Sequence, residues 1–284
     1  MLSLNLREFM GISRRKFILT SAGAAAAVGV GLSMWEAGEL VQKTQTLNLP
    51  RLPDGFKGLK IAFVADIHHG PFTSLEYVER MVAQIHAAAP DLILLGGDYP
   101  YYKARYVAPV LSVLGKLSAP MGVFAVRGNH DNLAGAALIS RELQKNGLHE
   151  LTNRGVWLKR NGSQIFLCGV DDLSTGQPDI ELALRGTTAN DVALLLCHNP
   201  DFLENLRDPR VSFAFCGHTH GGQIHLPLIG SPILPSAFGQ KYAYGLVRGP
   251  VVPAYVTRGV GTIFPPLRVN CPPEIAILTL QAAV

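Results

Sequence analysis

The chain has 284 residues, of which 48% are hydrophobic and only 16% are charged. This length and apolar content suffice for one large domain with a buried core, so a disordered chain is excluded and a second domain is not required. The formal net charge of +4 is too small to indicate nucleic-acid binding, and the body of the chain has no cluster of Lys and Arg with interleaved aromatic residues.

The N-terminal segment, residues 1–40, has the features of an export signal. Residues 13–18 read Ser-Arg-Arg-Lys-Phe-Ile and resemble the twin-arginine export motif, and residues 17–35 are uncharged and rich in Ala and Gly. We therefore expect the twin-arginine translocase as a partner and the cell envelope as the destination: periplasm, cell wall or outer face of the cytoplasmic membrane. Residues 33–37 include bulky side chains where a cleavage site needs small ones, so an uncleaved anchor with membrane association stays open.

From Lys60 onward, short apolar runs alternate with helical patterns. Thr73 and Glu76 form a capping box, which predicts a helix that ends before Pro90. Short strands with Gly and Pro turns are expected after Gly222. The order predicts a layered α/β domain over residues 45–284, with function on the loops that follow the strands. The predicted strands are 60–65, 91–95, 123–126, 164–170, 192–197 and 211–216, and two further helices are predicted at 106–117 and 133–146.

Polar side chains follow five of these strands directly. Each of them alone is weak evidence, because an Asp after Gly is usually a turn residue and a lone His is more often an ordinary structural residue than a metal ligand. Their repeated position after an apolar run is a much stronger signal. The motifs are Asp66-Ile67-His68, Gly96-Gly97-Asp98, Gly128-Asn129-His130-Asp131, His198 and Gly217-His218-Thr219-His220.

This series resembles the calcineurin-like metallophosphoesterase family, whose motifs are DxH, GD, GNH(D/E), H and GHxH. The resemblance extends over about residues 45 to 280, and the closing part is similar to a bacterial phosphodiesterase branch. It implies a four-layer αββα sandwich and a hydrolase that cleaves phosphate esters, most simply phosphodiesters, with a hydroxide between two divalent cations. It also implies that the substrate is a phosphate ester; the absence of nucleic acid among the expected partners rests on the small net charge instead.

The same resemblance assigns the metal ligands. Asp98 is implied to bridge both ions. The ligands combine carboxylate, amide and imidazole groups, a mixture suited to Mn, Fe, Zn or Co rather than Ca. Two divalent ions, two carboxylates and a hydroxide leave about +1, which attracts a phosphodiester. The remaining ligands are implied to be Asp66, His68 and His220 for the first ion, and Asn129, His198 and His218 for the second.

The resemblance places His130 against the phosphate, where a protonated imidazole stabilises charge or donates to the leaving oxygen. Asp131 is expected to orient that ring, and its alternative role is the N-cap of the helix that follows. Arg258 is the preferred substrate-binding residue because it lies in a Gly-rich loop and a guanidinium suits phosphate oxygens. Arg127 and Arg268 are the other candidates for this role.

Two alternative functions stay open. The bacterial branch includes enzymes that hydrolyse the pyrophosphate of UDP-2,3-diacylglucosamine in lipid A synthesis, although export argues against that cytoplasmic step. The other alternative is a metal-binding envelope protein without turnover, against which the presence of His130 argues. Cys168, Cys197 and Cys216 are predicted to be core residues, with disulfides not excluded.

Overall fold

The computed structural model describes residues 29, 31, 33, 34 and 36–283. The twin-arginine-like motif at 13–18 lies outside them, so the export signal stays a prediction. Within the described part of the chain, no helix is both long and apolar enough to cross a membrane. The division into a segment at 1–40 and a domain at 45–284 also stays a prediction.

Two six-stranded sheets form the centre of the fold. The first has the strand order β1-β12-β2-β3-β4-β5, and the second has the order β10-β11-β9-β8-β7-β6. In the first sheet β2, β3 and β4 are parallel neighbours, and in the second β7, β8 and β9 are parallel neighbours. The strands are β1 Val41–Leu49, β2 Lys60–Val64, β3 Leu92–Leu95, β4 Val123–Ala125, β5 His149–Glu150, β6 Arg154–Arg160, β7 Ser163–Gly169, β8 Ala193–Leu196, β9 Val211–Cys216, β10 Gly245–Arg248, β11 Pro253–Val256 and β12 Glu274–Ala282.

Side chains of the central strands point alternately to the two faces of each sheet and pack in three apolar layers. In β2, Ile61 and Phe63 face the layer between the two sheets, while Ala62 and Val64 face the helices of the first sheet. In β9, Phe215 faces the layer between the sheets and Cys216 faces the outer layer of the second sheet. Strands buried on both faces read as continuous apolar runs, which is why the sequence shows them clearly.

Helices cover the outer faces, and the αββα sandwich is confirmed. Among the described residues from 41 onward, the three longer helices lie over the first sheet and short segments lie over the second. The helices are α1 Leu75–Ala87, α2 Val107–Leu114, α3 Asn129–Lys145 and α4 Ile180–Ala183, with 3-10 turns at Asp54–Phe56, Ala104–Tyr106, Pro200–Glu204, His220–Gly222 and Gly239–Tyr242.

Two helix starts differ from the prediction. The N-cap of α1 is Ser74, whose hydroxyl accepts from the Tyr77 N–H at 3.2 Å, so the assignment of Thr73 was wrong by one residue. Helix α3 begins at Asn129, four residues before the predicted start, and Gly135 interrupts it with φ +125°. That break explains why the apolar period becomes readable only in the second half of the helix.

Three strands, β1, β5 and β6, were not predicted. Each lies at an edge of its sheet, and most of its side chains are exposed or only half-buried. Edge strands of this kind lack the apolar run by which a buried strand is recognised. The predicted core cysteines are confirmed: all four cysteines are free and buried in the described part of the chain.

Candidate metal centre

The carboxyl ends of the parallel strands in both sheets meet at one edge of the sandwich, and the loops after them carry the candidate ligands. Residues after β2, β3 and β4 come from the first sheet, and residues after β8 and β9 come from the second. A site built this way joins the two halves of the sandwich. All seven predicted ligands lie in it.

The first donor group contains Asp66, His68 and His220. The Nε2 atoms of His68 and His220 face each other at 2.9 Å, and His220 Nε2 lies 3.7 Å from Asp66 Oδ1. All three side chains are buried. Two imidazole nitrogens and a carboxylate oxygen therefore point into one small volume.

The second donor group contains Asn129, His198 and His218. Asn129 Oδ1 lies 3.1 Å from His198 Nε2 and 3.0 Å from His218 Nδ1, and the two nitrogens are 3.3 Å apart. Ligands at about 2.1 Å from a transition ion are separated by about 3.0 to 3.4 Å, so this triangle fits an ion of that size.

Asp98 lies between the two groups. Its Oδ2 atom is 3.5 Å from His68 Nε2 and 3.3 Å from His198 Nε2. The other oxygen, Oδ1, accepts from the backbone N–H of His130 at 2.8 Å. One carboxylate oxygen therefore belongs to both groups, as a bridging ligand requires.

The backbone brings these side chains together by left-handed conformations. The φ angles are +56° at Asp66, +48° at His68, +59° at Asp98, +72° at His218 and +52° at His220. Non-glycine residues rarely adopt φ in this range, and such strain collects at functional sites. The convergence of Asp66 and His68 does not come from the side-chain alternation of a strand, because β2 ends at Val64 and both residues lie in the loop that follows.

Two glycines permit the close approach of the loops. A Cβ on Gly128 would lie 2.2 Å from Asp98 Oδ1, and a Cβ on Gly217 would lie 2.7 Å from Asp66 Oδ2. Any side chain at these positions would displace a carboxylate of the site. Glycine is therefore required at both positions for a steric reason that the sequence alone does not reveal.

Burial and neighbouring charges set the protonation of the donors. Burial lowers the pKa of His68 to about 3 and that of His218 to about 4, and it lowers the pKa of His220 well below its usual value. These rings are neutral near pH 7, as metal ligands must be. Burial raises the pKa of Asp66 to about 7, partly offset by His198.

Asp98 and His198 form an ion pair within the cluster. Burial opposes the charge of each, but the pKa of Asp98 is lowered by His198, and the pKa of His198 is raised well above its usual value by Asp98. A cation bound here would stabilise the charge of Asp98 in place of the protonated ring of His198. The carboxylates, neutral imidazoles and amide oxygen fit a divalent ion of the transition series.

The ring of His130 lies beside the first donor group. The ring of His130 packs edge-on against His68 with centroids 4.4 Å apart, and its Nδ1 has no hydrogen-bond partner among the described residues. Burial lowers the pKa of His130 and Asp98 opposes that effect. The ring therefore lies beside the donors with a free nitrogen.

Asp131 does not orient His130, and this expectation was wrong. Its carboxylate accepts from three backbone N–H groups: Asp98 at 2.6 Å, Gly128 at 2.8 Å and Tyr99 at 3.1 Å. Nor is it the N-cap of α3, since that helix begins at Asn129 and Gly128 is the cap. Asp131 instead ties the loop after β3 to the loop after β4.

The arginine candidates are bound to other groups. Arg127 pairs with Glu150 at 3.2 Å and Asp171 at 3.1 Å. Arg268 is fully buried and donates to backbone carbonyls, including that of Gly261 at 2.6 Å. These contacts make both arginines structural.

Arg258, the preferred candidate, is also paired with an acidic residue. Its Nε donates to Glu274 Oε2 at 2.7 Å, so its charge is already neutralised. Its assignment to the substrate stays a prediction, against which this ion pair counts.

The predictions missed Asp172, which follows β7 at the same edge as the ligands. It is fully buried, and its Oδ2 accepts from the N–H groups of Ser174 and Thr175 at 2.9 and 2.8 Å. Its charge helps raise the pKa of His198 and opposes the lowering of the His130 pKa. The strand-end rule applied to β7 would have identified it.

The fold and the site together define a metal-binding hydrolase of phosphate esters. The family described as calcineurin-like phosphoesterase matches residues 59–222. The phosphodiesterase YaeI of Escherichia coli is 36% identical over 277 residues, covering 95% of this chain and 99% of its own. The uncharacterized metallophosphoesterase YkuE of Bacillus subtilis is 32% identical over 287 residues, with 95% and 98% covered. An uncharacterized metallophosphoesterase of Helicobacter pylori is 33% identical over 231 residues, covering 79% of this chain and 60% of its own.

The chain belongs to the calcineurin-like phosphoesterase family. It is a hydrolase that acts on phosphoric ester bonds, and its Asp and His clusters are a site for divalent metal.

Proposed function

We propose that the protein is a phosphodiesterase with two divalent metal ions in one site. The observation that carries this proposal is the position of Asp98 Oδ2, within 3.5 Å of a donor nitrogen of each group. Asp66, His68 and His220 hold one ion, Asn129, His198 and His218 hold the other, and Asp98 contacts both. Manganese, iron, zinc and cobalt all suit this ligand set.

When bound, the two ions supply positive charge for the phosphate oxygens and a hydroxide nucleophile at neutral pH. The chain itself holds the ligands in place and excludes water from the outer sides of Asp66, His68, Asp98, His198 and His220, which are all buried. The seven donors contribute only two negative charges, so the loaded site stays positive and attracts an anionic ester.

His130 is the catalytic side chain of this proposal. Its half-buried ring lies beside His68, where it would bind a phosphate oxygen or transfer a proton to the leaving oxygen. The backbone N–H of His130, held by Asp98, fixes the start of α3 and with it the position of the ring. Asp131 keeps the loops of Asp98 and His130 together.

A diester is the proposed substrate for two reasons. The 36%-identical relative that spans the whole chain is named a phosphodiesterase. A diester also has a single negative charge, which balances the roughly +1 expected for a loaded site with a hydroxide.

Export by the twin-arginine route and action in the cell envelope are part of the same proposal. They rest on residues 13–18 and on the uncharged stretch at 17–35. Because the route carries folded proteins, it suits a chain that acquires its metals before export. Fractionation of cells that express wild-type protein and an Arg14→Lys, Arg15→Lys variant tests this part; equal export of both contradicts it.

The enzymatic part is tested on the purified full chain, stripped of metal and reloaded with Mn²⁺. Hydrolysis of bis-p-nitrophenyl phosphate is compared with that of p-nitrophenyl phosphate for the wild type, Asp98→Ala and His130→Ala. Asp179→Ala is the matched control, because Asp179 is exposed and its carboxylate accepts from the Leu182 N–H at the start of α4. Metal-dependent diester cleavage that Asp98→Ala abolishes supports the proposal, and equal rates for Asp98→Ala and Asp179→Ala overturn it.

A further inference from the structure

An apolar cavity of about 190 Å³ adjoins the metal centre. Its wall includes His220, which is also a member of the first donor group. Most of the remaining wall is aliphatic, aromatic or proline. These apolar residues are Ile224, Pro232, Ile233, Pro235, Ile263, Phe264 and Pro265.

One side of the cavity is fixed to the ligand loop by Gln223. This residue is buried, has φ +59°, and accepts from the Ile263 N–H at 2.8 Å through Oε1. Its Nε2 donates to the carbonyls of Pro265 at 3.0 Å and Ile263 at 3.3 Å. Residues 263–265 are therefore held beside His220 rather than free to close the cavity.

Ser231 fixes the opposite side. Its hydroxyl donates to the Gly221 carbonyl at 2.6 Å, and its backbone carbonyl accepts from Gln240 at 2.6 Å. The segment that carries Ile233 is thus attached to the same ligand loop. Both walls are built on the loop that presents His218 and His220, so the cavity is preformed next to the donors.

The described residues near the N-terminus lie elsewhere. Met34 and Ala37 line a separate cavity with Phe72. Glu36 holds this segment by accepting from the N–H groups of Asn270 and Cys271 at 3.1 and 2.8 Å. The described residues of this segment therefore do not occupy the cavity beside His220.

We propose that this cavity binds an apolar alkyl or acyl group of the phosphodiester substrate. The inference rests on the proposed function and adds the substrate class and the residues that select it. Because His220 belongs to both the first donor group and the cavity wall, a group attached to a phosphate at the donors would lie next to the cavity. At about 30 Å³ for each small group, the volume of a water molecule, the cavity holds roughly six methylene groups.

Chain length is the variable that tests the proposal. The full-length, Mn²⁺-loaded protein is assayed with methyl, butyl, hexyl and decyl p-nitrophenyl phosphate diesters below their micelle concentrations. We expect kcat/KM to rise by about fourfold per methylene up to roughly six carbons and then to level off, because burial in an apolar site favours each methylene by about 0.8 kcal/mol. Equal kcat/KM values across the series overturn the proposal.

Point variants distinguish the cavity from the general surface. Ile233→Ser and Phe264→Ser replace residues that line the cavity and are mostly exposed at its rim, so neither change empties the core. Both are expected to flatten the dependence on chain length. Leu228→Ser is the matched control: Leu228 is a fully exposed leucine of the same segment and does not line the cavity. Equal flattening by Leu228→Ser overturns the proposal.

A binding measurement separates this inference from the proposed function. Calorimetric titration compares methylphosphonate with hexylphosphonate, whose P–C bond is not hydrolysed. Tighter binding of hexylphosphonate that Ile233→Ser abolishes supports the cavity even where no diester is cleaved, a result that overturns the phosphodiesterase alone. Cleavage of every diester with equal binding of both phosphonates overturns the cavity alone.

Discussion

Replacement of Asp131 by Ala is predicted to destabilise the whole fold. The carboxylate is fully buried and accepts from three backbone N–H groups on two loops. Each buried donor left without a partner costs about 1 to 3 kcal/mol, so the variant should lose about 3 to 9 kcal/mol of unfolding free energy. At about 2 to 4 °C per kcal/mol, the melting temperature should fall by about 6 °C or more.

Thermal and urea unfolding of the metal-free protein measure this loss. Asp179→Ala is the matched control, since Asp179 caps α4 with a single exposed hydrogen bond to Leu182 N at 2.8 Å and should cost about 1 kcal/mol. Asp131→Asn keeps one acceptor oxygen and should lie between the two. If Asp131→Ala is as stable as Asp179→Ala and only its kcat is reduced, the proposed role of Asp131 in joining the two loops is refuted. In that case the function of Asp131 would be to orient His130.

Three further predictions concern individual groups. His130→Gln should lower kcat by about 10² to 10⁴ while elemental analysis finds unchanged metal, because the ring is not among the proposed ligands; lost metal would contradict this. Metal affinity should rise with pH through about 7, because Asp66, with a pKa near 7, and His198, with a raised pKa, must release protons on binding. Calorimetry near pH 6.5 in two buffers of different ionisation enthalpy measures that release, and its absence would refute the reasoning. Arg268→Met should cost about 3 kcal/mol or more in urea unfolding, because it removes several buried hydrogen bonds to carbonyls; a loss below about 1 kcal/mol would contradict the structural role.

The central strands and the ligand positions were predictable because both depend on local patterns. Val211–Cys216 was predicted to the residue, since a strand buried on both faces is a continuous apolar run bounded by turn residues. The donors follow such runs, and parallel strands bring their carboxyl ends to one edge. Strand β1 was not predictable in this way, because its residues are mostly polar and its pairing partner β12 lies more than 200 positions later.

The details of the site were not predictable from the same patterns. Sequence spacing shows that Asp131 follows His130, but not that α3 starts at Asn129 and turns the Asp131 carboxylate toward the amides of another loop. Likewise, arginines in a Gly-rich loop suggest phosphate binding until the structure shows Arg258 paired with Glu274. These roles depend on contacts between segments that are far apart in the chain.

Metal content is the measurement that tests the central claim most directly. The full-length wild type and Asp98→Ala are loaded with Mn²⁺, freed of excess metal and subjected to elemental analysis. Because Asp98 Oδ2 contacts both donor groups, we predict two equivalents in the wild type and fewer than one in Asp98→Ala. A wild type without bound metal, or an Asp98→Ala variant with the full complement, would contradict the account.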